Sequence, residues 1–271
     1  SGTAVLDSAL TSDGGFYLFE DLDPATYQLH EIQPTGVDDG AELLGSLGGS
    51  IPANDIMQLT LARTDAFDYA FAELGQQVTS GDTATIGFWQ NKHGQALITQ
   101  GGAALADWLT SNFGNVFGNT FSDGSGGDDG AEVATFFRQE LFKQKAKKSV
   151  AGPAKVDAQF TAVALATYFT SSNLAGNVAS SFGFNVTDTG IGTNVVNVGD
   201  NGAAFGVING TDLTIMQLLS ATNILTDQPN IITGDANIYD QDGDGMISSA
   251  EAALRAMANI IYSDINEGGA I

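Results

Sequence analysis

The segment Ile56–Leu61, Ile-Met-Gln-Leu-Thr-Leu, alternates apolar with polar side chains and decides the first part of the fold. Successive side chains of a strand point to opposite faces, so a period of two predicts a strand with one buried face. The same alternation recurs at Tyr27–Ile32 and Phe67–Phe71, and Phe16–Phe19 follows a turn sequence. Gly, Asp and Pro separate these runs, as between short antiparallel strands. We therefore predict an antiparallel β-sandwich in residues 1–78.

The apolar period lengthens after about residue 82. Apolar residues then recur every three or four positions, which is the spacing of an amphipathic helix. Five helices are predicted, over Gln95–Phe113, Ala131–Lys148, Val156–Thr170, Leu213–Leu225 and Ala250–Tyr262. Between the third and fourth, Gly183–Val186 and Thr193–Val198 predict a small hairpin. The chain is thus predicted to be an α+β protein, with the sandwich followed by a mainly helical domain in residues 82–271.

The composition excludes several classes of function. The 271 residues include 32 Asp or Glu, 9 Lys or Arg and no Cys, and the formal net charge is −23. Nucleic-acid binding needs clustered basic residues, and anionic lipid attracts basic segments, so neither partner is expected. The absence of Cys excludes disulfides and thiolate metal sites. No apolar run reaches about 18 residues, so no transmembrane segment is expected.

One motif carries specific chemistry. Residues 240–251, Asp-Gln-Asp-Gly-Asp-Gly-Met-Ile-Ser-Ser-Ala-Glu, satisfy the EF-hand calcium loop at each key position. Calcium prefers about six to eight oxygen ligands, and the spacing of the loop supplies them. The predicted Ca²⁺ ligands are the carboxylates of Asp240, Asp242 and Asp244, the backbone carbonyl of Met246, Ser248 directly or through a water, and a bidentate Glu251.

The loop also predicts how the metal acts. Four carboxylates in twelve residues repel one another without a cation, so we expect metal binding to be coupled to local folding. Ser248 and Glu251 have the spacing of a helix capping box. The sequence contains no second loop of this quality, which argues against a paired calcium sensor. We expect one constitutive, stabilising site, and the alternative is an Asp/Gly-rich turn without metal.

Three weaker signals leave alternatives open. The acidic loop at 122–132 misses the EF-hand pattern, because Ala134 occupies the closing position; it fits either a second calcium site or a loop whose acids favour the next helix N-terminus. The basic run Lys143–Lys148 fits a helix C-terminus or contact with an acidic module. The segment Gly87–Gly94 contains Trp89 and His93 and fits a ligand cleft, a metal held through His93, or the packed start of a helix.

The segment Thr11–Pro34 contains, in order, Asp13-Gly14, Phe16-Tyr17-Leu18-Phe19, Leu22, Pro24, Tyr27 and Glu31. This order resembles the SdrD B-like domains of bacterial surface adhesins, which belong with the Cna B-type, prealbumin-like sandwiches. Gly45–Gly49 and Tyr69–Glu73 are similar to the closing strands of that unit. The resemblance covers residues 1–75, and the family's opening strands would lie before Ser1. Either another chain completes the sandwich, or its strand order is reduced, or the chain is a processed fragment. The isopeptide cross-link of some relatives is not expected, because residues 1–91 contain no Lys.

The resemblance implies a secreted protein of the cell surface. The helical part is more loosely similar to segments that follow B-like domains, in which a Gly-Phe-Trp-x-Asn pattern, here Gly87–Asn91, is common. The leading hypothesis is a non-enzymatic, calcium-stabilised structural or adhesive module that contacts other surface domains, copies of itself or an extracellular ligand. A second is a fibre subunit completed by strand exchange between chains. A third is a carbohydrate-binding module or enzyme that uses Trp89, Asn91 and His93.

Overall fold

A computed structural model describes residues 4–11, 15–32, 37–118, 121, 129–143, 151–226 and 238–271. The chain divides into two compact units, Ser1–Leu74 and Gly75–Ile271. The predicted α+β class is confirmed, since helices are combined with small antiparallel sheets that do not close into a barrel. Within the described ranges, we find no helix with both the length and the apolar character needed to cross a membrane.

The first unit contains two small sheets. Strands β1 to β5 span Ala25–His30, Val37–Leu43, Ser50–Ala53, Ile56–Leu61 and Ala70–Gly75. One sheet has the antiparallel order β1-β4-β3, and the other pairs β2 with β5. In β4 the predicted alternation places Met57 and Leu59 in the core and leaves Thr60 exposed.

The core of the first unit is small. Among its described residues, the buried apolar ones are Met57, Leu59 and Tyr69. The Tyr69 hydroxyl donates to the Gly48 carbonyl at 2.6 Å, and the Tyr17 hydroxyl donates to the Tyr69 carbonyl at 2.6 Å. Each tyrosine thus combines an apolar ring with a polar group that fixes a loop.

Three strand predictions in this unit differ from the structure. Phe16–Phe19 lies outside the strands, with Phe16 and Leu18 exposed. Strand β5 begins at Ala70 rather than Phe67, because Asp68 has a left-handed φ of 63° that extended pairing does not accommodate. Gly45–Gly49 forms a turn instead of a closing strand, and the Gly48 N–H donates to the Gly45 carbonyl.

The second unit is mainly helical. Helices α1 to α8 span Ile86–Gln90, Lys92–Asn112, Gly114–Phe117, Asp129–Phe136, Val156–Thr170, Ser172–Ala175, Ile215–Ile224 and Ser249–Gly268. A π-helical turn over Phe137–Phe142 continues α4, and 3₁₀ turns span Val178–Phe182, Gly190–Thr193 and Gly199–Phe205. Strands β6, Val195–Asn197, and β7, Asp212–Thr214, pair antiparallel.

Helix α5 lies at the centre of this unit. All of its residues are buried, so the predicted amphipathic stripe is wrong although the helix begins and ends where the sequence predicts. The hydroxyls of Thr161, Thr167 and Thr170 donate to backbone carbonyls one turn earlier in the chain. Because each hydroxyl finds a partner within the helix, these threonines are buried without an unsatisfied polar group.

Other elements also depart from the predicted pattern. Gly102 kinks α2 with φ 54° and ψ −152°, and a Cβ on Gly130 of α4 would lie 2.6 Å from the Gly102 nitrogen. The predicted hairpin is wrong, because β6 pairs with β7 and not with 183–186. Helix α8 continues beyond the predicted end at Tyr262.

The entering segment of the second unit lies against its C-terminal residues. Thr83 and Ala270 form a parallel bridge, in which the Thr83 N–H donates to Gly269 at 2.8 Å and the Ile271 N–H donates to Thr83 at 3.0 Å. The Thr83 hydroxyl also donates to the Ile265 carbonyl of α8 at 2.9 Å. These bonds fix the incoming chain to the end of α8.

Candidate metal centre

The predicted calcium loop, residues 240–251, leads directly into α8. The predicted capping box is present, since the Glu251 N–H donates to the Ser248 hydroxyl at 3.3 Å and the Ser248 N–H donates to Glu251 Oε2 at 2.8 Å. Reciprocal bonds of this kind satisfy backbone donors that a helix N-terminus otherwise leaves free. The end of the loop and the start of the helix are therefore one hydrogen-bonded unit.

Three of the predicted ligands come together as carboxylates. Asp240, Asp242 and Asp244 each offer an oxygen, and these oxygens lie within 4.8 Å of one another. Asp240 is fully buried, whereas Asp242 and Asp244 are exposed. The two oxygens of Asp240 accept the N–H groups of Gly243 and Gly245, each at 2.9 Å. Gly245 has a φ of 76°, the left-handed conformation that glycine adopts without strain.

The other predicted ligands have different partners. Glu251 is not part of the close group of carboxylates; its Oε1 accepts the Gln241 N–H at 2.8 Å. The Met246 N–H donates to Asp244 Oδ1 at 2.7 Å. Ser248 lies at the helix cap, as described above. The backbone of the loop thus solvates its carboxylates from several directions.

The surroundings shift the pKa values of the two buried acids, Asp240 and Glu251, in opposite directions. Burial raises the pKa of Asp240, the charges of Glu251 and Asp244 raise it further, and the N–H groups of Gly245 and Gly243 oppose the change. Burial also acts to raise the pKa of Glu251, but hydrogen bonds from Gln241 and Ser248 outweigh it, and the pKa is lowered. Several hard oxygen donors grouped within one short loop are the kind of ligand set that fits Ca²⁺.

The chain that enters the loop is held by the core. Ile238 and Tyr239 are both fully buried. The Ile238 N–H donates to Asp157 Oδ1 at 2.9 Å, and its carbonyl accepts Arg255 Nη1 at 2.7 Å. Asp157 of α5 and Arg255 of α8 form a buried ion pair, with Nη2 and Oδ2 2.6 Å apart. No local sequence pattern predicts this pair, because its members lie in different helices, far apart in the chain.

The first unit contains a second group of acids, which no sequence motif predicts. Asp39 and Glu42 of β2 lie with Asp55 of the β3–β4 turn, with oxygens within 4.8 Å. Burial, together with a hydrogen bond to Glu73 and the charge of that residue, raises the pKa of the nearby Glu31 to about 7. These residues lie in separate segments of the chain, so no spacing motif predicts that they come together.

The segment around Trp89 has structural roles. Trp89 is fully buried, and its ring contacts Phe88, Phe169 and Phe184. The Asn91 side chain caps α2 by accepting the His93 N–H at 2.7 Å. These contacts occupy two of the three side chains that the third hypothesis uses, and the third, His93, is exposed.

Two sequence signals fall largely outside the described residues. The structure does not describe residues 122–128 of the second acidic loop or residues 144–148 of the basic run.

Comparisons with protein-family models, curated proteins and solved structures found no match. The resemblance to SdrD B-like domains therefore stays a prediction from the sequence motif of residues 11–34.

Proposed function

We propose that the chain is a non-enzymatic, calcium-stabilised structural or adhesive module of a bacterial cell-surface or extracellular protein. The observation that carries this proposal is the complete EF-hand consensus at 240–251, whose three aspartates lie together beside α8. Asp240, Asp242, Asp244, the Met246 carbonyl, Ser248 and Glu251 would hold the ion. When bound, calcium supplies positive charge to the carboxylates and links the loop to the first turn of α8.

A stabilising role fits the way the loop is attached. Asp240 is buried, the residues before it are fixed to α5 and α8, and Ser248 caps α8. A metal at this position therefore joins the loop to the largest core of the chain. Extracellular calcium modules bind with dissociation constants of roughly 0.1–1 mM, which suits a surface location where calcium is plentiful.

We propose a prealbumin-like sandwich of the SdrD B-like type for residues 1–78. Its support is the ordered motif at residues 11–34 and the two small sheets, of which β1 carries the alternating Tyr27 and Leu29 of that motif. This assignment is also the basis for the extracellular localisation and for partners among surface-protein domains.

The metal site is tested by titration and by chelation. Calcium should bind with measurable heat, and at 100 times the dissociation constant it should raise the free energy of unfolding of the second unit by about 2.7 kcal/mol. Tryptophan fluorescence reports this unit, because Trp89 and Trp108 both lie in it and residues 1–74 contain no Trp. The matched control is the variant Asp240→Asn/Glu251→Gln, which changes the two fixed acids of the motif at nearly constant size and should lose the response. An identical melt with calcium and with chelator would exclude the proposal.

A second candidate, strand exchange between chains, is favoured by one observation. Val5, Leu6 and Leu10 lie in a segment without secondary structure and are 85%, 73% and 95% exposed. Strands β1 and β3 are the edges of their sheet, and an extended apolar segment adds readily to such an edge. Scattering should then show concentration-dependent oligomers that the variant Val5→Asp/Leu10→Asp abolishes. A monomer at all concentrations would exclude strand exchange.

A further inference from the structure

We propose that the buried pair Asp157–Arg255 positions the calcium loop, so that calcium affinity depends on a carboxylate in helix α5 outside the loop. This inference rests on the proposed calcium site and adds two positioning residues to it. Neither residue belongs to the EF-hand consensus.

The pair directs its hydrogen bonds to the backbone that precedes the first ligand. Its two bonds are parallel, Nη1 to Oδ1 at 3.0 Å and Nη2 to Oδ2 at 2.6 Å, and both side chains are at most 1% exposed. The same Oδ1 accepts the Ile238 N–H, and the same Nη1 donates to the Ile238 carbonyl. A buried ion pair has a large desolvation cost and is by itself weak evidence of net stabilisation. The specific feature of this pair is that it binds both the N–H and the carbonyl of one residue, Ile238.

Tyr239, the residue after Ile238, connects the fixed backbone of Ile238 to the first residue of the calcium loop. Tyr239 has a left-handed φ of 64°, which is strained for a bulky side chain and persists only where the surroundings fix it. Its N–H donates to the Thr226 hydroxyl at 3.0 Å, and its own hydroxyl donates to the Ala204 carbonyl at 2.6 Å. Asp240 follows directly and is buried with both oxygens bonded.

Arg255 is also connected to the other end of the loop. It lies one helical turn after Glu251 on α8. One side chain therefore contacts the backbone just before the first ligand and extends from the helix that carries the last. Groups that orient metal ligands from outside the coordination sphere typically change metal affinity about 10–100-fold when removed.

The test compares two buried links between the same pair of helices. The variant Asp157→Leu/Arg255→Met replaces the ion pair by apolar side chains of similar size. The control is Asn266→Leu, which removes the buried bonds of Asn266 Nδ2 to the carbonyl and Oε1 of Gln159, at 3.0 and 2.7 Å. Both variants weaken a contact between α5 and α8, but residue 266 is at the far end of α8 from the loop.

Calcium affinity is measured by calorimetry. Tb³⁺ is used as a probe of the same site, because its luminescence lifetime reports how many water molecules are bound to the metal. We expect the dissociation constant to rise about 10–100-fold in Asp157→Leu/Arg255→Met, with a shorter lifetime, and to stay unchanged in Asn266→Leu. A purely structural role predicts lower stability without a change in lifetime. Equal affinities in the two variants would overturn the inference.

A milder variant keeps the inference testable if the double substitution does not fold. Thr226→Val removes the acceptor of the Tyr239 N–H at nearly constant volume and should weaken calcium binding in the same direction. Unchanged affinity and lifetime in folded Thr226→Val would overturn the proposed route through Tyr239. If the wild-type chain itself binds neither Ca²⁺ nor Tb³⁺, the calcium site fails, and this result is distinct from binding that the variants leave intact.

Discussion

The two units of the chain differ in how they bury apolar surface. In the second, the core surrounds α5 and includes many aromatic rings, among them Trp89, Phe160 and Tyr262. In the part of the first unit that the structure describes, the buried apolar residues are Met57, Leu59 and Tyr69, while side chains as large as Phe67 are exposed. The second unit is thus stabilised chiefly by packing. The first depends more on hydrogen bonds and on the protonation of its carboxyl groups, so the two should respond to different perturbations.

The largest expected difference between the two units is in the free energy of unfolding that is lost when an aromatic ring is removed. Phe160→Ala removes a fully buried ring in contact with Phe113, Phe117 and Tyr262 and should lower the stability of the second unit by about 3–5 kcal/mol. Phe71→Ala in the first unit removes a partly buried ring and should cost about 1–2 kcal/mol. Denaturant unfolding followed by tryptophan fluorescence and circular dichroism separates the two. A larger loss in Phe71→Ala would reverse the comparison.

A smaller effect, which acts on the first unit rather than the second, is expected when the pH is changed. The raised pKa of Glu31, about 7 against an ordinary 4.5, means that folding favours the protonated carboxyl. This contribution is full below about pH 4.5 and is lost as the pH rises through about 7. The first unit should therefore be less stable at pH 8 than at pH 5.5, by about 1 kcal/mol once solvent screening is considered.

Hydrogen exchange of residues 25–75, measured with chelator present, is the direct readout of this pH effect. Glu31→Gln keeps a neutral side chain at every pH and should remove most of the difference between pH 5.5 and pH 8. A first unit that becomes more stable as the pH rises would contradict the expected sign.

The smallest effect is expected at a helix cap in the second unit. The Thr214 hydroxyl accepts the Gln217 N–H at 3.1 Å in the capping box of α7. Thr214→Ala should cost about 1 kcal/mol and leave calcium affinity unchanged. Ser248→Ala should have a similar cost and also weaken calcium binding, because that cap belongs to the metal loop. Equal calcium affinity in the two variants would remove Ser248 from the ligand set.

Local features of the fold could be predicted from sequence, and features made by distant residues could not. The capping box at Ser248 follows from spacing within one turn, and α5 follows from its apolar period. The complete burial of α5 depends on what packs around it, which no local period reports. The Asp157–Arg255 pair joins residues 98 positions apart. The start of β5 depends on the left-handed Asp68, for which alternation gives no signal.

The bridge between Thr83 and Ala270 has a mechanical consequence. The two segments run parallel, so tension applied between Gly75 and Ile271 pulls them in opposite directions along their length. The backbone bonds from Thr83 to Gly269 and from Ile271 to Thr83 are then loaded together in shear, rather than opened one after another. Resistance to forced unfolding is set by the rate of unfolding rather than by equilibrium stability. This short contact is therefore placed to determine how long the helical unit stays folded when it is pulled.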